Sequence, residues 1–298
     1  MISTKPLPAT DPRVYRPRRI PVTIAIGFAY DKGLLFCVDT KVTTNIKTNE
    51  SKIAHFLSDD SLCSLTFAMS STDLNFPRNA VERCWDAVMG MDFDKVSIEA
   101  VHDAAEFALA EFYRDHIYPH PDRTPGATFL ELLVGIWLRG ETRLYVSHET
   151  VLNFVDQYEC IGSGAYLAKY LIRQYLKANI RATTEQDAGL IANFAVEQAI
   201  EYDEYCGGEA EMLILRQSGA VDSICPAVLY PGERFVRGLQ GTGWKLLHDL
   251  AGVTDNYESE TASIVEKYCD KIRVMNEQHH SHFEALQDQK IRDPHRWD

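Results

Sequence analysis

The stretch Thr23-Ile-Ala-Ile-Gly-Phe-Ala-Tyr-Asp-Lys-Gly-Leu-Leu-Phe-Cys-Val-Asp-Thr-Lys-Val-Thr-Thr-Asn45 decides how the chain is read. Two apolar runs, 22–30 and 33–39, flank a short turn at Asp31-Lys32-Gly33, the pattern of a β-hairpin. The second run ends in Asp39-Thr40-Lys41, so a strand apolar enough to be buried closes on a carboxylate and an ammonium. Before Thr23 lies a segment with five prolines and the cluster Arg13, Arg16, Arg18 and Arg19. Proline removes backbone donors and disfavours helix, so residues 1–22 read as an extended, basic tail or a pro-segment.

Outward from that hairpin the pattern alternates between strands and helices. A third strand is expected at 62–69, and helices from Asp73 to about Met91 and from Ser97 to about Tyr118. The segment 120–126 reads as a loop. Strands follow at Phe129–Leu138, Arg143–His148 and Leu152–Asp156. Gly162-Ser163-Gly164 opens a helix to about Asn179, and a second helix runs from Glu185 to Tyr202, with Thr183 and Gln186 as its expected capping box. A hairpin is expected over 211–217 and 220–225, then helices near Trp244–Ala251 and Thr261–Leu286. Strands, two helices, strands, two helices and strands predict a mixed α+β fold, a four-layer αββα sandwich. The division is a tail (1–22), a main domain (23–226) and a C-terminal, mainly helical extension (227–298).

The 298 residues carry a net charge of −13, which repels nucleic acid and anionic lipid, so neither is an expected partner. No apolar run approaches the ~20 residues of a membrane span. The seven cysteines are odd in number and form no CxxC pair, which predicts reduced thiols in a cytoplasmic protein. No metal or cofactor is expected. His279, His280 and His282 lie together on a polar stretch without the HExxH spacing, and read as a solvated helix face. Gly162-Ser163-Gly164-Ala-Tyr-Leu lacks the third glycine and the later acid of a dinucleotide loop.

Six ordered motifs resemble the β-type subunits of the proteasome and the related bacterial threonine peptidases, which are N-terminal nucleophile hydrolases. They are Thr23 through Gly27, Asp31 through Gly33 with Asp39-Thr-Lys41, Lys52-Ile53, Ala68 through Asp73, Gly162-Ser163-Gly164, and Asp203-Glu-Tyr-Cys206-Gly207-Gly208. The resemblance covers about residues 22–225. It implies a threonine endopeptidase that frees Thr23 by self-processing and hydrolyses peptide bonds. Thr23 would be the nucleophile, with its α-amino group, of ordinary pKa near 7.7–8.0, as the base. Lys52 would favour the alkoxide and Asp39 would fix Lys52. Ser163 and Asp203, with Cys206 beside them, would orient the amine, and the Met69 N–H would face the oxyanion. Val42, Glu50, Phe67 and Ser71 match the substrate pocket, Phe67 as its floor and Glu50 as a site for a basic side chain.

The chain departs from the pattern at Val22 and Met69, where the family carries glycine, and at Cys206, where it carries serine. The resemblance further implies a peptide or unfolded-protein substrate and a homo-oligomer; it names no ATPase partner. Two alternatives accompany it: a non-catalytic structural subunit of a proteasome-like assembly, and another amide hydrolase on the same fold.

Overall fold

The computed structural model describes residues 23–43, 47–71, 73–119, 130–175 and 184–224, with parts of the C-terminal segment between 237 and 281. The calls on residues 1–22, the loop at 120–126 and the histidines 279, 280 and 282 lie outside the described residues.

The main part is mixed α+β, built on two antiparallel five-stranded sheets. The first has the order β10 (Tyr158–Ile161), β1 (Ala25–Tyr30), β2 (Gly33–Asp39), β11 (Ala210–Arg216) and β12 (Val221–Ile224). The second has the order β5 (Ile53–Leu57), β6 (Cys63–Ser71), β7 (Leu130–Leu138), β8 (Glu141–His148) and β9 (Val151–Val155). Strands β3 (Lys41–Thr43) and β4 (Lys47–Asn49) form a small separate hairpin.

The nearly continuous apolar run of β2 reflects cover on both faces. Leu35 and Cys37 join one core with Ala188, Ala192 and Ala195 of helix α4 (Glu185–Tyr202) and Ala168 and Ile172 of helix α3 (Ala165–Tyr175). Leu34, Phe36 and Val38, on the other face, join Ala68, Leu133 and Leu144 of the second sheet. The sheets approach so closely that a Cβ on Gly135 would lie 2.7 Å from the Phe36 ring. The far face of the second sheet packs on helices α1 (Asn75–Met89) and α2 (Ile98–Phe112), through Ala80, Val81 and Cys84 from α1 and Val101, Ala105 and Leu109 from α2.

Several local details differ from the expectation. The capping box of α4 is one residue later: Thr184 Oγ1 accepts from Asp187 N–H, and the Asp187 carboxylate bonds back to Thr184. Asp187 satisfies the motif as well as the expected glutamine does, because a carboxylate at that position reaches the cap N–H. Helix α2 ends at Phe112 and the chain continues as a π turn, Tyr113–Ile117. Strands β3, β4, β5 and β10 have no counterpart in the expected elements. In the C-terminal segment, residues 262–275 are helical.

Candidate functional site

Thr23 stands two residues before β1, and Asp39 is the last residue of β2. These strands are antiparallel neighbours, with Ala25 opposite Val38, so the start of one and the end of the other meet. Lys52 immediately precedes β5 on the facing sheet. The turn 162–164 joins β10 to α3, and the loop 203–208 joins α4 to β11, the other neighbour of β2. The topology therefore brings five separated segments to one end of the paired sheets.

Thr23, Asp39 and Lys52 are all buried. Thr23 Oγ1 donates to Asp39 Oδ1. Lys52 Nζ donates to Thr23 Oγ1 at 2.5 Å and to Asp39 Oδ1 at 2.7 Å. Asp39 also accepts the Ile24 N–H on Oδ1 and the Gly207 N–H on Oδ2, each at 3.0 Å. A buried carboxylate needs such saturation, since each unfilled lone pair would keep part of its desolvation cost. Burial pushes the Lys52 pKa below the ordinary lysine value, while the Asp39 charge and hydrogen bond push it back up.

The Thr23 carbonyl accepts from Gly164 N–H at 3.2 Å and from the Ser163 hydroxyl at 3.3 Å. Ser163 Oγ lies 3.8 Å from Cys206 Sγ. Burial, then the charges of Asp39 and Asp203, push the Cys206 thiol up to about 12, so it is a neutral packing and hydrogen-bonding group. Lys41 Nζ donates to the carbonyls of Glu204 and Cys206, at 3.0 Å each, and ties the 203–208 loop to the end of β2.

Thr23, Asp39 and Lys52 thus form one hydrogen-bonded cluster, with Ser163 and Cys206 beside it. The other expected site residues are placed differently. Ser163 meets the carbonyl of Thr23 rather than its amine. The Asp203 carboxylate accepts the Tyr205 N–H at 2.8 Å, an Asx turn that shapes its own loop. The Met69 N–H donates to the Lys52 carbonyl at 2.9 Å, so the expected oxyanion donor is taken up by a bond that extends the β5–β6 ladder. Glu50 is held by Arg78 of α1 at 2.7 Å, so its charge is already matched within the chain. Phe67 is buried in the core against α1 and α2, edge-on to Phe56. Ser71 accepts the Asp73 N–H at 3.2 Å. Val42 lies in β3 opposite Thr48, and its side chain is outside the described residues.

Three contributors escape a reading of the sequence: the N–H groups of Ile24 and Gly207, and Glu131, whose Oε2 accepts the Gly162 N–H at 2.8 Å. Backbone donors leave no residue-type signal, and Glu131 sits in a strand that reads simply as apolar. Among the described residues no group of three or more His, Cys, Asp or Glu is arranged to hold a metal. Among them, too, no helix is long and apolar enough to cross a membrane.

No family model and no curated protein matches the chain. Solved structures do. A Gly-1 mutant of Anbu from Hyphomicrobium sp. strain MC1 is 12% identical with a TM-score of 0.60, covering 75% of this chain and 96% of that one. Anbu from Yersinia bercovieri, described as an ancestral beta-subunit, is 15% identical with a TM-score of 0.59, covering 78% and 98%. The Anbu complex of Pseudomonas aeruginosa, described as a helical assembly, is 14% identical with a TM-score of 0.58, covering 79% and 100%. These findings correct the assignment to the proteasome β-type subunits and the bacterial threonine peptidases related to them: the similar structures are Anbu proteins, and at such identity they share a fold with this chain and nothing finer.

Proposed function

We propose that the chain is a subunit of an Anbu-like assembly that hydrolyses amide bonds with Thr23 as nucleophile. The observation that carries this reading is the contact of Lys52 Nζ with both Thr23 Oγ1 and Asp39 Oδ1, with all three groups buried. A solvated threonine hydroxyl is a poor nucleophile and needs an adjacent base or cation. Here the hydroxyl donates to a carboxylate and accepts from a lysine whose pKa burial has lowered.

In this reading Thr23 Oγ1 first attacks the carbonyl of Val22. The peptide C–N bond breaks, the proton from the hydroxyl goes to the departing nitrogen, and an ester forms on Oγ1. Water cleaves that ester and leaves Thr23 with a free amine. The freed amine, titrating near neutrality, then takes the hydroxyl proton when a substrate amide is attacked. The substrate amine departs with a proton, and water hydrolyses the second ester. Lys52 holds positive charge beside the oxygen throughout, and Asp39 keeps Lys52 in place. The four-layer αββα arrangement belongs to the same proposal, supported by three apolar clusters: helices on the first sheet, sheet on sheet, and helices on the second sheet.

One observation favours the second reading, a non-catalytic subunit: the Met69 N–H is already bonded to the Lys52 carbonyl. Catalysis then needs another oxyanion donor or a shift of β6. The test is incubation with a peptidyl β-lactone, followed by peptide mapping, alongside hydrolysis of a fluorogenic peptide amide. Acylation at Thr23, abolished in Thr23→Ala and Lys52→Ala, is expected. Wild-type protein that is neither acylated nor active supports the non-catalytic reading. Self-assembly is part of the proposal, and light scattering that shows only a monomer would contradict it.

A further inference from the structure

Glu131 occupies a position that the proposed chemistry does not use. It lies on β7, whose alternate residues Leu130, Leu132 and Val134 face α1 and α2 while Leu133 faces the first sheet. Strand alternation puts Glu131 on the same face as Leu133, between the sheets. Its cross-strand partner is Ser70. The Ser70 hydroxyl is buried and has no hydrogen-bond partner among the described residues. The carboxylate therefore bypasses the hydroxyl at its side and reaches the turn that follows β10 of the other sheet, where Oε2 accepts the Gly162 N–H at 2.8 Å.

Gly162 is in turn pressed against the nucleophile. Its φ is +91°, and a Cβ there would lie 2.3 Å from the Thr23 carbonyl oxygen and 2.8 Å from Thr23 Cγ2. The next two residues of the turn supply both donors to the Thr23 carbonyl. A carboxylate-to-amide bond is among the stronger hydrogen bonds in proteins. Resting on the reading of Thr23 as nucleophile, we infer that Glu131 is a positioning residue: from the second sheet it holds the 162–164 turn, and the turn sets where Thr23 sits. Lys52 and Asp39 fix the hydroxyl of Thr23; Glu131, through Gly162, fixes its carbonyl and methyl side.

The test compares Glu131→Leu with Glu131→Gln in the assembled protein expressed from the whole chain. Glutamine keeps an oxygen that can accept the Gly162 N–H; leucine does not. The first readout is the Thr23 methyl resonance in threonine-methyl-labelled protein, assigned with Thr23→Ser, together with hydrogen exchange at the Gly162 amide. Leucine is expected to shift the methyl and speed the exchange, and glutamine to restore both. The second readout is the rate of Thr23 acylation by the β-lactone. It is expected to fall about tenfold to a hundredfold in Glu131→Leu, with recovery in Glu131→Gln, since small misplacements of a reacting group cost rate steeply. A Thr23 methyl unmoved in Glu131→Leu overturns the inference, whatever the acylation rate. Wild-type protein that is not acylated overturns the nucleophile reading instead, and the methyl comparison then decides the positioning role by the same two results. Should the leucine variant not fold, Glu131→Ala carries the same expectations.

Discussion

Lys52 Nζ lies 2.7 Å from Asp39 Oδ1, and neither side chain has appreciable contact with solvent. Removing the carboxylate leaves a buried ammonium without its counter-charge, and leaves the Ile24 and Gly207 N–H groups without their acceptor. Breaking such a pair costs about 3–5 kcal/mol. Asp39→Ala is therefore expected to lower the denaturation midpoint strongly. Equal midpoints for variant and wild type would show that the pair contributes nothing to the fold.

Gly162→Ala tests the contact between the 162–164 turn and Thr23. The added Cβ meets a backbone oxygen, which cannot move aside like a flexible side chain, and φ is +91°. Strain of that kind costs about 1–3 kcal/mol. A matching loss of stability in urea is expected, together with loss of Thr23 acylation. A variant as stable as wild type would contradict the close approach.

Among the described residues the cysteines separate by burial. Cys37, Cys63, Cys84, Cys160 and Cys206 are buried and free, whereas Cys269 is exposed. Burial raises the thiol pKa at all five, to about 12 for Cys63, Cys84 and Cys206. The thiolate is the reactive form, so native protein treated with iodoacetamide at neutral pH is expected to be alkylated at Cys269 and protected at those five until it is unfolded. Rapid alkylation of Cys206 in native protein would contradict its placement.

His102 of α2 covers the edge strand β9. One ring nitrogen bonds the Leu152 carbonyl at 2.9 Å, while Glu106 accepts the Leu152 N–H at 2.6 Å. Burial lowers the His102 pKa, but the bonds to Leu152 and Asp103 and the charges of Glu106 and Asp103 outweigh it, and the net shift is upward. A folded pKa above the unfolded one gives stability that is fully present below about 6.5 and is lost as pH rises through the folded value. The difference in melting temperature between wild type and His102→Gln is expected to be larger near pH 6 than near pH 8. A difference that is constant across this range would show that the ring does not titrate with folding.

The β1–β2 hairpin, helices α1 to α4 and the strands of both sheets other than β5 and β10 are legible in the sequence because their apolar spacing follows local periodicity; β10 is only four residues long. Strand β5 is not legible, since Ile53–Leu57 is only half-buried and its alternation is weak. Strands β3 and β4, of three residues each, are too short to carry a pattern. Motif order points to Asp39 and Lys52 as neighbours, and their side chains lie 2.7 Å apart. For Asp203, Glu50 and Met69 motif order gives no hint of the partners they have, which are a neighbouring N–H, an arginine on α1 and a ladder carbonyl. Competition among partners far apart in sequence leaves no local trace. Glu131 is the plainest case: its partner is 31 residues away, in the turn that follows β10 of the other sheet.

The central claim, that Thr23 is a nucleophile freed by self-cleavage, is tested most directly by intact-mass measurement of the purified, assembled protein. The account predicts a species that begins at Thr23 and lacks residues 1–22, with the cut absent in Thr23→Ala. Wild-type protein that retains Val22 bonded to Thr23 after assembly would contradict it.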